Sequence, residues 1–437
     1  MAYPRLAPSS FLPFLLLSLI CSLVSAQANE DATIKTMEDF SGYPLHERND
    51  PFCGSSSLPT SLSVDGDSLQ RQINELSTFS DTPAPSVTRI LFSDKDVLAR
   101  RYIKNLMGLS GLSVREDAVG NIFGRWDGYK PGLPAVATGS HIDAIPYSGK
   151  YDGVVGVLGA IEALNVLKRS GFRPKRSLEV ILFTSEEPTR FGISCLGSRL
   201  LAGSKVLAEA LKKTTVDGQN ISFVDAARYA GYMKGEDDLS NVFLNSGNYS
   251  AFLELHIEQG PILEAEGLSI GIVTAIAAPA SIKVDFEGNG GHAGAALMPN
   301  RNDAGLAAAE LALAVEKHVL DSGSIDTVGT VVHTCTGILE LHPGAINSIP
   351  SKSHLEIDKS IVKAMEDTSK ELNLPHKLMI SRAYHDSLFM ARISPMGMLF
   401  IPCFKGYSHK PEEYAASQDI ANGVKVLALT LAKLSLD

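Results

Sequence analysis

The residues most able to do chemistry follow apolar segments that we expect to be strands. The stretch TGSHIDAIPYSGKYDGVVG, residues 138–156, places one histidine and two aspartates directly after such a segment. Three later stretches, TSEE, ELHIE and GYSHK, follow apolar runs with carboxylates or imidazoles in the same way. The residues concerned are His141, Asp143, Asp152, Glu186, Glu187, His256 and His409.

The shared placement of these residues is more informative than any one of them. A lone histidine is usually a hydrogen-bonded structural residue, and a Glu-Glu pair is usually solvated. Asp152 followed by Gly153 could be an ordinary turn. In open α/β sheets, however, reactive groups gather at the carboxyl ends of neighbouring strands. We therefore expect a single joint site at that edge of the sheet, with Asp152 in the loop before a long helix.

The residue types in this group predict a two-metal site. Imidazole and carboxylate groups without a thiolate suit Zn²⁺ or Mn²⁺. We predict that His141, His256 and one oxygen of Asp152 bind one divalent cation. Glu187, His409 and the other oxygen of Asp152 would bind a second one. Two cations that share a carboxylate can lower the pKa of a water molecule and polarise a substrate carbonyl, which is hydrolytic chemistry.

Two further carboxylates have predicted roles beside the metal ligands. Glu186 precedes the ligand Glu187 and is the expected general base, which would carry a proton to the leaving nitrogen. Asp143 lies two residues from His141, hence on the same face of a strand, and would orient that ligand through a hydrogen bond.

The elements that position these residues alternate between strand and helix. LPAVATGSHI is predicted to be a buried strand, GVVGVLGAIEALNVLKRSG a helix and SLEVILFTSEE the next strand, which form a right-handed crossover in a largely parallel sheet. Later strands are YSAFLELHIE, KLMISRAY and GMLFIPC, and SQDIANGVKVLALTLAKLS is a closing helix. Residues 278–358 have a different texture, an alternating strand followed by an Ala/Leu-rich helix and two more strands, and indicate a small inserted α+β domain.

The composition excludes one class of partner. The chain has 437 residues and a formal net charge of −10. No basic stripe is visible along the sequence, so we expect no binding to nucleic acid.

The first 26 residues are typical of a secretory signal. They contain Arg5, an apolar run over Phe11–Val24 and small residues that end at Ala26, which predicts cleavage there and the secretory pathway, with the endoplasmic reticulum lumen as the expected compartment. The alternative is a membrane anchor. It is disfavoured because the run is short, contains two serines and a proline, and is followed by no stop-transfer charges. We therefore expect no membrane partner after cleavage.

The mature chain retains few features specific to the secretory pathway. Cys53, Cys195, Cys335 and Cys403 do not form a recognisable disulfide framework. Asn220 and Asn248 begin triplets that can accept an N-linked glycan.

Longer motifs around the candidate residues resemble those of the metal-dependent amidohydrolase and aminoacylase/carboxypeptidase family. The matching stretches are GSHIDAIPYSGKYDG, TSEE, ELHIEQGP, GGHAGAALMPNRNDA, PGAINSIP and GYSHKPEE. HIEQGP and SHKPEE are similar to the carbamoyl branch rather than to peptidases. The resemblance implies a small ureido acid as substrate and two divalent cations per subunit, Mn²⁺ in preference to Zn²⁺.

The resemblance also implies an α/β fold in two domains. The catalytic domain would have a mixed, mostly parallel sheet with helices on both faces and would comprise residues 27–277 and 359–437. A ferredoxin-like lid and dimerisation domain would be inserted at 278–358, and subunits would form a homodimer through it.

Further site residues follow only from the resemblance. Gln259 and His256 would border the substrate, together with Glu186, Glu187 and His409. His292 in the lid would reach the active site of the neighbouring subunit and stabilise the developing oxyanion, and Asn347 would contact the substrate from the lid. Tyr384 and His385 would contact it from the catalytic domain. A bulky Tyr384 fits a short substrate.

The predicted lid departs from the family pattern. We count strands near 281–289, 326–341 and 353–359 and one helix near 303–321, where a ferredoxin-like lid has four strands and two helices. Ser360 occupies the place of an arginine that binds the substrate carboxylate in the family, and Lys359 would face away from it on a strand. Because such an arginine contact is strong and directional, the alternative function is a metal-binding form with little or no activity.

Overall fold

The computed structural model describes residues 58–59, 62–215, 221–277, 282–289, 292, 295, 297–321, 329–333, 338–343 and 354–437. The chain divides into a larger unit, Ser55–Ala278 with Ile349–Asp437, and a smaller unit that contains Pro279–Ser348. Several predicted features lie outside the described residues. They are the signal peptide, Cys53, Asn220, Cys335 and Asn347.

The strands of both units follow one another in chain order. They are β1 (Val87–Arg89), β2 (Ser113–Glu116), β3 (Ile122–Trp126), β4 (Ala135–Ser140), β5 (Ala144–Ser148), β6 (Leu178–Leu182), β7 (Tyr249–Ile257), β8 (Ile270–Ala277), β9 (Ile282–Asp285), β10 (Gly329–His333), β11 (Ile338–Pro343), β12 (His354–Glu356), β13 (His376–Ser381) and β14 (Met396–Ile401).

The α-helices between these strands are numbered in the same way. They are α1 (Gly66–Ser77), α2 (Asp94–Leu109), α3 (Val154–Arg169), α4 (Leu196–Leu201), α5 (Lys205–Leu211), α6 (Phe223–Tyr229), α7 (Ile262–Glu266), α8 (Ala304–Asp321), α9 (Lys359–Glu371), α10 (Asp386–Met390) and α11 (Ser417–Leu436). Within the described residues, no helix combines the length and apolarity needed to span a bilayer.

A nine-stranded sheet forms the centre of the larger unit. Its order is β12-β8-β14-β7-β4-β6-β3-β2, and β13 also pairs with β8. The four central neighbours β14, β7, β4 and β6 run parallel to one another, whereas β2, β3 and β12 join antiparallel. The predicted fold class, a mixed and mostly parallel α/β sheet, is confirmed.

The two faces of this sheet carry separate hydrophobic cores. Successive strand residues point to opposite faces, so Val180 of β6 belongs to one core and Ile181 to the other. The first core also contains residues of α1, α2, α3, α9 and α11, and the second contains residues of α4, α5, α6, α7 and α10. The helices therefore cover both faces, as predicted.

Helix α3 packs on the sheet and so places the loop that precedes it, which carries Asp152, beside the sheet. Most of its residues are buried, and each fully buried valine or leucine contributes about 1.5–3 kcal/mol to folding. A side chain at Gly156 would clash with the carbonyl oxygen of Leu255 on β7. The helix can therefore lie directly on the strand that carries His256.

The smaller unit contains a three-stranded antiparallel sheet in the order β10-β11-β9, together with α8. The single strand predicted over 326–341 is wrong, because residues in and beyond that range form the separate antiparallel strands β10 and β11. Within the described residues this unit has no further strand. The predicted loss of lid elements is not tested by this and stays a prediction.

The segment before α9 also differs from the sequence prediction. The strand expected in the lid at 353–359 is β12, and it pairs with β8 in the sheet of the larger unit. Lys359 and Ser360 are not strand residues, since they open α9, where the Asp358 carboxylate accepts the backbone N–H of Ser360 and Ile361. The reason is that Ile361 packs into the core of the larger unit. The residues just before it must therefore lie at the edge of the sheet of that unit.

Candidate metal centre and active site

The predicted site residues meet at one edge of the large sheet. His141 follows β4, Glu187 follows β6, His256 lies near the end of β7, and His409 follows β14. These four strands are adjacent and parallel, so their carboxyl ends lie side by side. Asp152 reaches the same place from the loop before α3.

A first group of donors consists of His141, Asp152 and His256, all buried. The Asp152 Oδ1 atom lies 3.1 Å from Nε2 of His256 and 3.5 Å from Nε2 of His141. All three ligand atoms lie within 4.8 Å of one another. Nε2 of His141 is buried and has no hydrogen-bond partner among the described residues, so this nitrogen is available as a ligand atom.

A second group uses the other oxygen of the same aspartate. Asp152 Oδ2 lies 3.3 Å from Nε2 of His409, and that nitrogen lies 3.0 Å from Oε1 of Glu187. Again the three ligand atoms are mutually within 4.8 Å. Asp152 thus contributes one oxygen to each group, which is the arrangement that the sequence predicts for a bridging carboxylate.

The electrostatics of both groups fit divalent cations. Burial alone would lower the pKa of His409, but hydrogen bonds to Asp152 and Glu187 raise it to about 11. Burial alone would raise the pKa of Asp152, yet His256 and the other imidazoles hold it well below its ordinary value. The carboxylates around these imidazoles attract positive charge, and a donor set of nitrogen and oxygen suits Zn²⁺ or Mn²⁺.

Glu186 lies beside the first group with its side chain almost fully buried. Its Oε2 atom is 3.8 Å from Nε2 of His141, and the Cys195 thiol donates a hydrogen bond of 3.4 Å to Oε1. Burial raises the pKa of Glu186 well above its ordinary value, against the opposing effect of His141, and the Glu187 carboxylate adds to the rise. A carboxyl group with a raised pKa beside a reactive centre is suited to transferring protons.

Asp143 connects His141, which follows β4, to the loop after β6. The shared strand face predicted for His141 and Asp143 is wrong, because both lie in the link between β4 and β5. Its Oδ1 atom lies 3.5 Å from Nδ1 of His141. The same carboxylate accepts the backbone N–H groups of Glu186 at 3.2 Å and Glu187 at 2.9 Å. Asp143 therefore orients a candidate ligand and also fixes the loop that carries the candidate base.

The residues that the family resemblance placed around the substrate have varied surroundings. Gln259 donates a hydrogen bond of 2.7 Å to Oδ2 of Asp152. Tyr384 is half-buried and donates to the Ser194 hydroxyl at 2.9 Å. His385 is buried, with its ring 4.4 Å from that of His256. Their contact with a substrate stays a prediction.

The remaining predicted residue lies in the smaller unit. His292 is exposed there. Its predicted role at the active site of a neighbouring subunit stays a prediction.

Sequence reasoning missed the residues that hold the ligand loops in place. Arg89 is buried, and its guanidinium donates to the carbonyl oxygens of Ile142 at 2.5 Å, Leu76 at 2.7 Å and Phe79 at 3.0 Å. Burial lowers its pKa to about 10. No signal near Arg89 in the sequence indicates this contact with the loop after β4.

Gly153 and Ser408 support Asp152 from its two sides. Gly153 has a φ of 65°, and a side chain there would clash with the His141 ring. The Ser408 hydroxyl donates a hydrogen bond of 2.6 Å to Oδ2 of Asp152. The Asp-Gly pair and the serine beside His409 are visible in the sequence. The same residue types also occur in ordinary turns and loops, so they do not by themselves indicate this support.

Comparison with known proteins gives close relatives. Residues 137–433 match the sequence profile of the peptidase family M20/M25/M40. A ureidoglycolate hydrolase of Arabidopsis thaliana is 69% identical, with 97% of each chain covered, and an allantoate amidohydrolase of Escherichia coli is 30% identical, with 84% of this chain and 97% of the relative covered.

A solved structure agrees with the fold at high identity. It is described as the crystal structure of AtUAH in complex with glyoxylate. Its TM-score is 0.81 at 68% sequence identity, with 87% of this chain and all of the other covered. Profile, sequence and structure therefore agree, and the chain belongs to the peptidase family M20/M25/M40.

Proposed function

We propose that this chain is a dinuclear metal-dependent amidohydrolase that cleaves a ureido C–N bond. The proposed reaction converts (S)-ureidoglycolate and one water to glyoxylate, two molecules of ammonia and CO₂, a step of ureide and purine breakdown. The observation that carries the proposal is the division of Asp152 between two donor groups, with Glu186 beside them. The substrate rests on the 69% identical ureidoglycolate hydrolase and on the glyoxylate complex of the related structure.

The residues present could hold both cations. His141, Asp152 and His256 would hold one, and Asp152, Glu187 and His409 the other. Two such cations, for which we propose Mn²⁺, would make a water molecule more acidic and polarise the ureido carbonyl.

The protein's own groups would do the remaining work. Glu186 would accept a proton from the attacking water and deliver it to the leaving nitrogen, a role that suits its raised pKa. The Asp143 carboxylate holds Glu186 in place by accepting a hydrogen bond from the Glu186 backbone N–H. Tyr384, fixed by Ser194, would limit the length of the substrate. Gln259, His292, Asn347 and His385 are proposed to complete the substrate contacts.

A second candidate substrate belongs to the same branch. The relative from Escherichia coli is an allantoate amidohydrolase and is 30% identical over most of this chain. Allantoate or an N-carbamoyl amino acid is therefore the alternative substrate.

A specific observation favours a third candidate, a metal-binding form with weak or no activity. The alignment to the Arabidopsis relative spans 470 positions and covers 97% of this 437-residue chain, which is about 424 residues, so about 46 positions lack a residue here. A gap of this size is consistent with the prediction that part of the lid is missing near Asp358. Loss of a charged contact there would weaken binding of a substrate carboxylate.

The metal ligands give the first test. We expect His256→Ala to lose the first cation and Glu187→Ala the second, each with an affinity loss above about 100-fold, because loss of a mere supporting hydrogen bond already costs 10–100-fold. Metal analysis after dialysis against defined Mn²⁺ measures this, with His376→Ala on β13 as the control that keeps both cations. Full metal content in both ligand variants would show that the ligand assignment is wrong.

The substrate is tested by ammonia release with added Mn²⁺. We expect the fastest release from ureidoglycolate, and we expect Glu186→Gln to lower the rate by about 10²–10⁴-fold while metal content is kept. A preference for allantoate would replace the first substrate by the second. No release from any ureido acid, despite bound metal, would favour the weakly active or inactive form.

We also propose that the chain forms a homodimer through the smaller unit. Leu306, Leu313 and Leu320 of α8 are 53%, 65% and 73% exposed. Their spacing of seven residues places them on one stripe of the helix. An exposed leucine stripe of this kind is typical of a surface that another protein covers, and the occupant we propose is a second copy of this chain.

Sedimentation tests the dimer. We expect a dimer at micromolar concentration and a monomer for Leu313→Glu, since a buried charge would oppose the packing of α8. Leu109→Glu is the matched control, because Leu109 is 86% exposed at the end of α2 in the larger unit. A wild-type chain that sediments as a clean monomer would reject the dimer.

For location, we propose the secretory pathway and the endoplasmic reticulum lumen. The proposal rests on residues 1–26 and gains support from Asn248, which begins a glycan acceptor triplet and is exposed. The two cysteines that the structure describes, Cys195 and Cys403, are free.

Mass spectrometry of the chain expressed in eukaryotic cells tests this location. We expect an N-terminus at Gln27 and a glycan at Asn248 that an N-glycosidase removes. A chain that keeps Met1 and carries no glycan would contradict it.

A further inference from the structure

Glu413 is a buried carboxylate that lies next to the site but outside both donor groups. It follows His409 by four residues and is 3% exposed. Its Oε1 atom accepts the backbone N–H groups of Tyr151 at 2.7 Å and Asp152 at 2.9 Å, and its Oε2 atom accepts the backbone N–H of His409 at 3.3 Å. One side chain therefore holds the backbone of two candidate ligands.

The two loops that Glu413 joins are far apart in the sequence. Asp152 and Glu413 are separated by 261 positions, so no local structure relates the loop before α3 to the loop after β14. Gly149 also packs directly on Glu413, because a side chain at that position would clash with it. The two loops meet on the Glu413 carboxylate.

His409 has a backbone conformation that needs such support. Its φ is 61°, in the left-handed region that residues other than glycine rarely adopt. Such conformations persist only where surrounding contacts fix them. The hydrogen bond from the His409 backbone N–H to Glu413 is one of these contacts, and it helps to fix the backbone from which the His409 imidazole projects.

We infer that Glu413 is a positioning residue for the second cation, setting the distance between the Asp152 and His409 ligand atoms. The inference rests on the proposed two-metal function. The first group depends on it less, since His141 and His256 are placed by β4 and β7 and by their own hydrogen bonds to Asp143 and Ile257.

Glu413→Gln separates this role from a merely structural one. An amide has nearly the same shape as the carboxylate and keeps one oxygen acceptor for the Tyr151 and Asp152 N–H groups. Its other end is an NH₂ group, which donates and cannot accept the His409 N–H. The variant should therefore disturb the His409 side of the contact and leave the first donor group in place.

The experiment is a titration of the metal-free full chain with Mn²⁺, by calorimetry and by metal analysis. The wild type should bind two Mn²⁺ per subunit. Glu413→Gln should bind one with unchanged affinity and the other 10–100-fold more weakly, the usual effect of losing a residue that supports a metal ligand. Glu412→Gln is the matched control, because Glu412 is adjacent and exposed, and it should bind both as the wild type does.

Circular dichroism and thermal unfolding of the metal-free proteins show whether the variants are folded. If Glu413→Gln does not fold, Glu413→Asp keeps the charge but shortens the reach, and it should weaken the second cation more than the first, which His141 and His256 also hold. A folded variant that binds both cations like the wild type, or weakens both equally, overturns the inference. A wild type that binds fewer than two Mn²⁺ instead overturns the proposed dinuclear function, and this inference with it.

Discussion

The candidate site depends on one shared carboxylate. Asp152 gives Oδ1 to the donor group with His141 and His256, and Oδ2 to the group with Glu187 and His409. A carboxylate can serve two sides in this way only if its backbone is fixed, so that each oxygen faces a different donor group. The surrounding structure provides that fixation through the tight turn at Gly153, the start of α3 and the buried Glu413.

The cost of burying so many ionisable groups explains the rest of the arrangement. Asp143, Asp152, Glu186 and Glu187 are all 8% exposed or less, and unpaired buried charges are strongly destabilising. The imidazoles and the backbone N–H groups offset part of this charge, and two divalent cations would offset the remainder. Metal binding and stability of the loops would therefore be coupled in this site.

The sequence predicted the donor groups because their positions follow from a general rule. Residues that follow neighbouring parallel strands must meet at one sheet edge, and β4, β6, β7 and β14 obey that rule. The supporting residues could not be predicted in the same way. Arg89 and Glu413 act through backbone groups, so their roles depend on tertiary packing that no local pattern encodes. The segment 353–359 was misplaced because its alternation fits either sheet, and only the packing of α9 decides between them.

Anomalous diffraction at the manganese edge, from crystals of the chain grown with Mn²⁺, tests the central claim most directly. The account predicts two anomalous peaks per subunit. One should lie between His141 and His256, the other between Glu187 and His409, and Asp152 should contact both. A single peak, or two peaks of which neither is bound by Asp152, would contradict it.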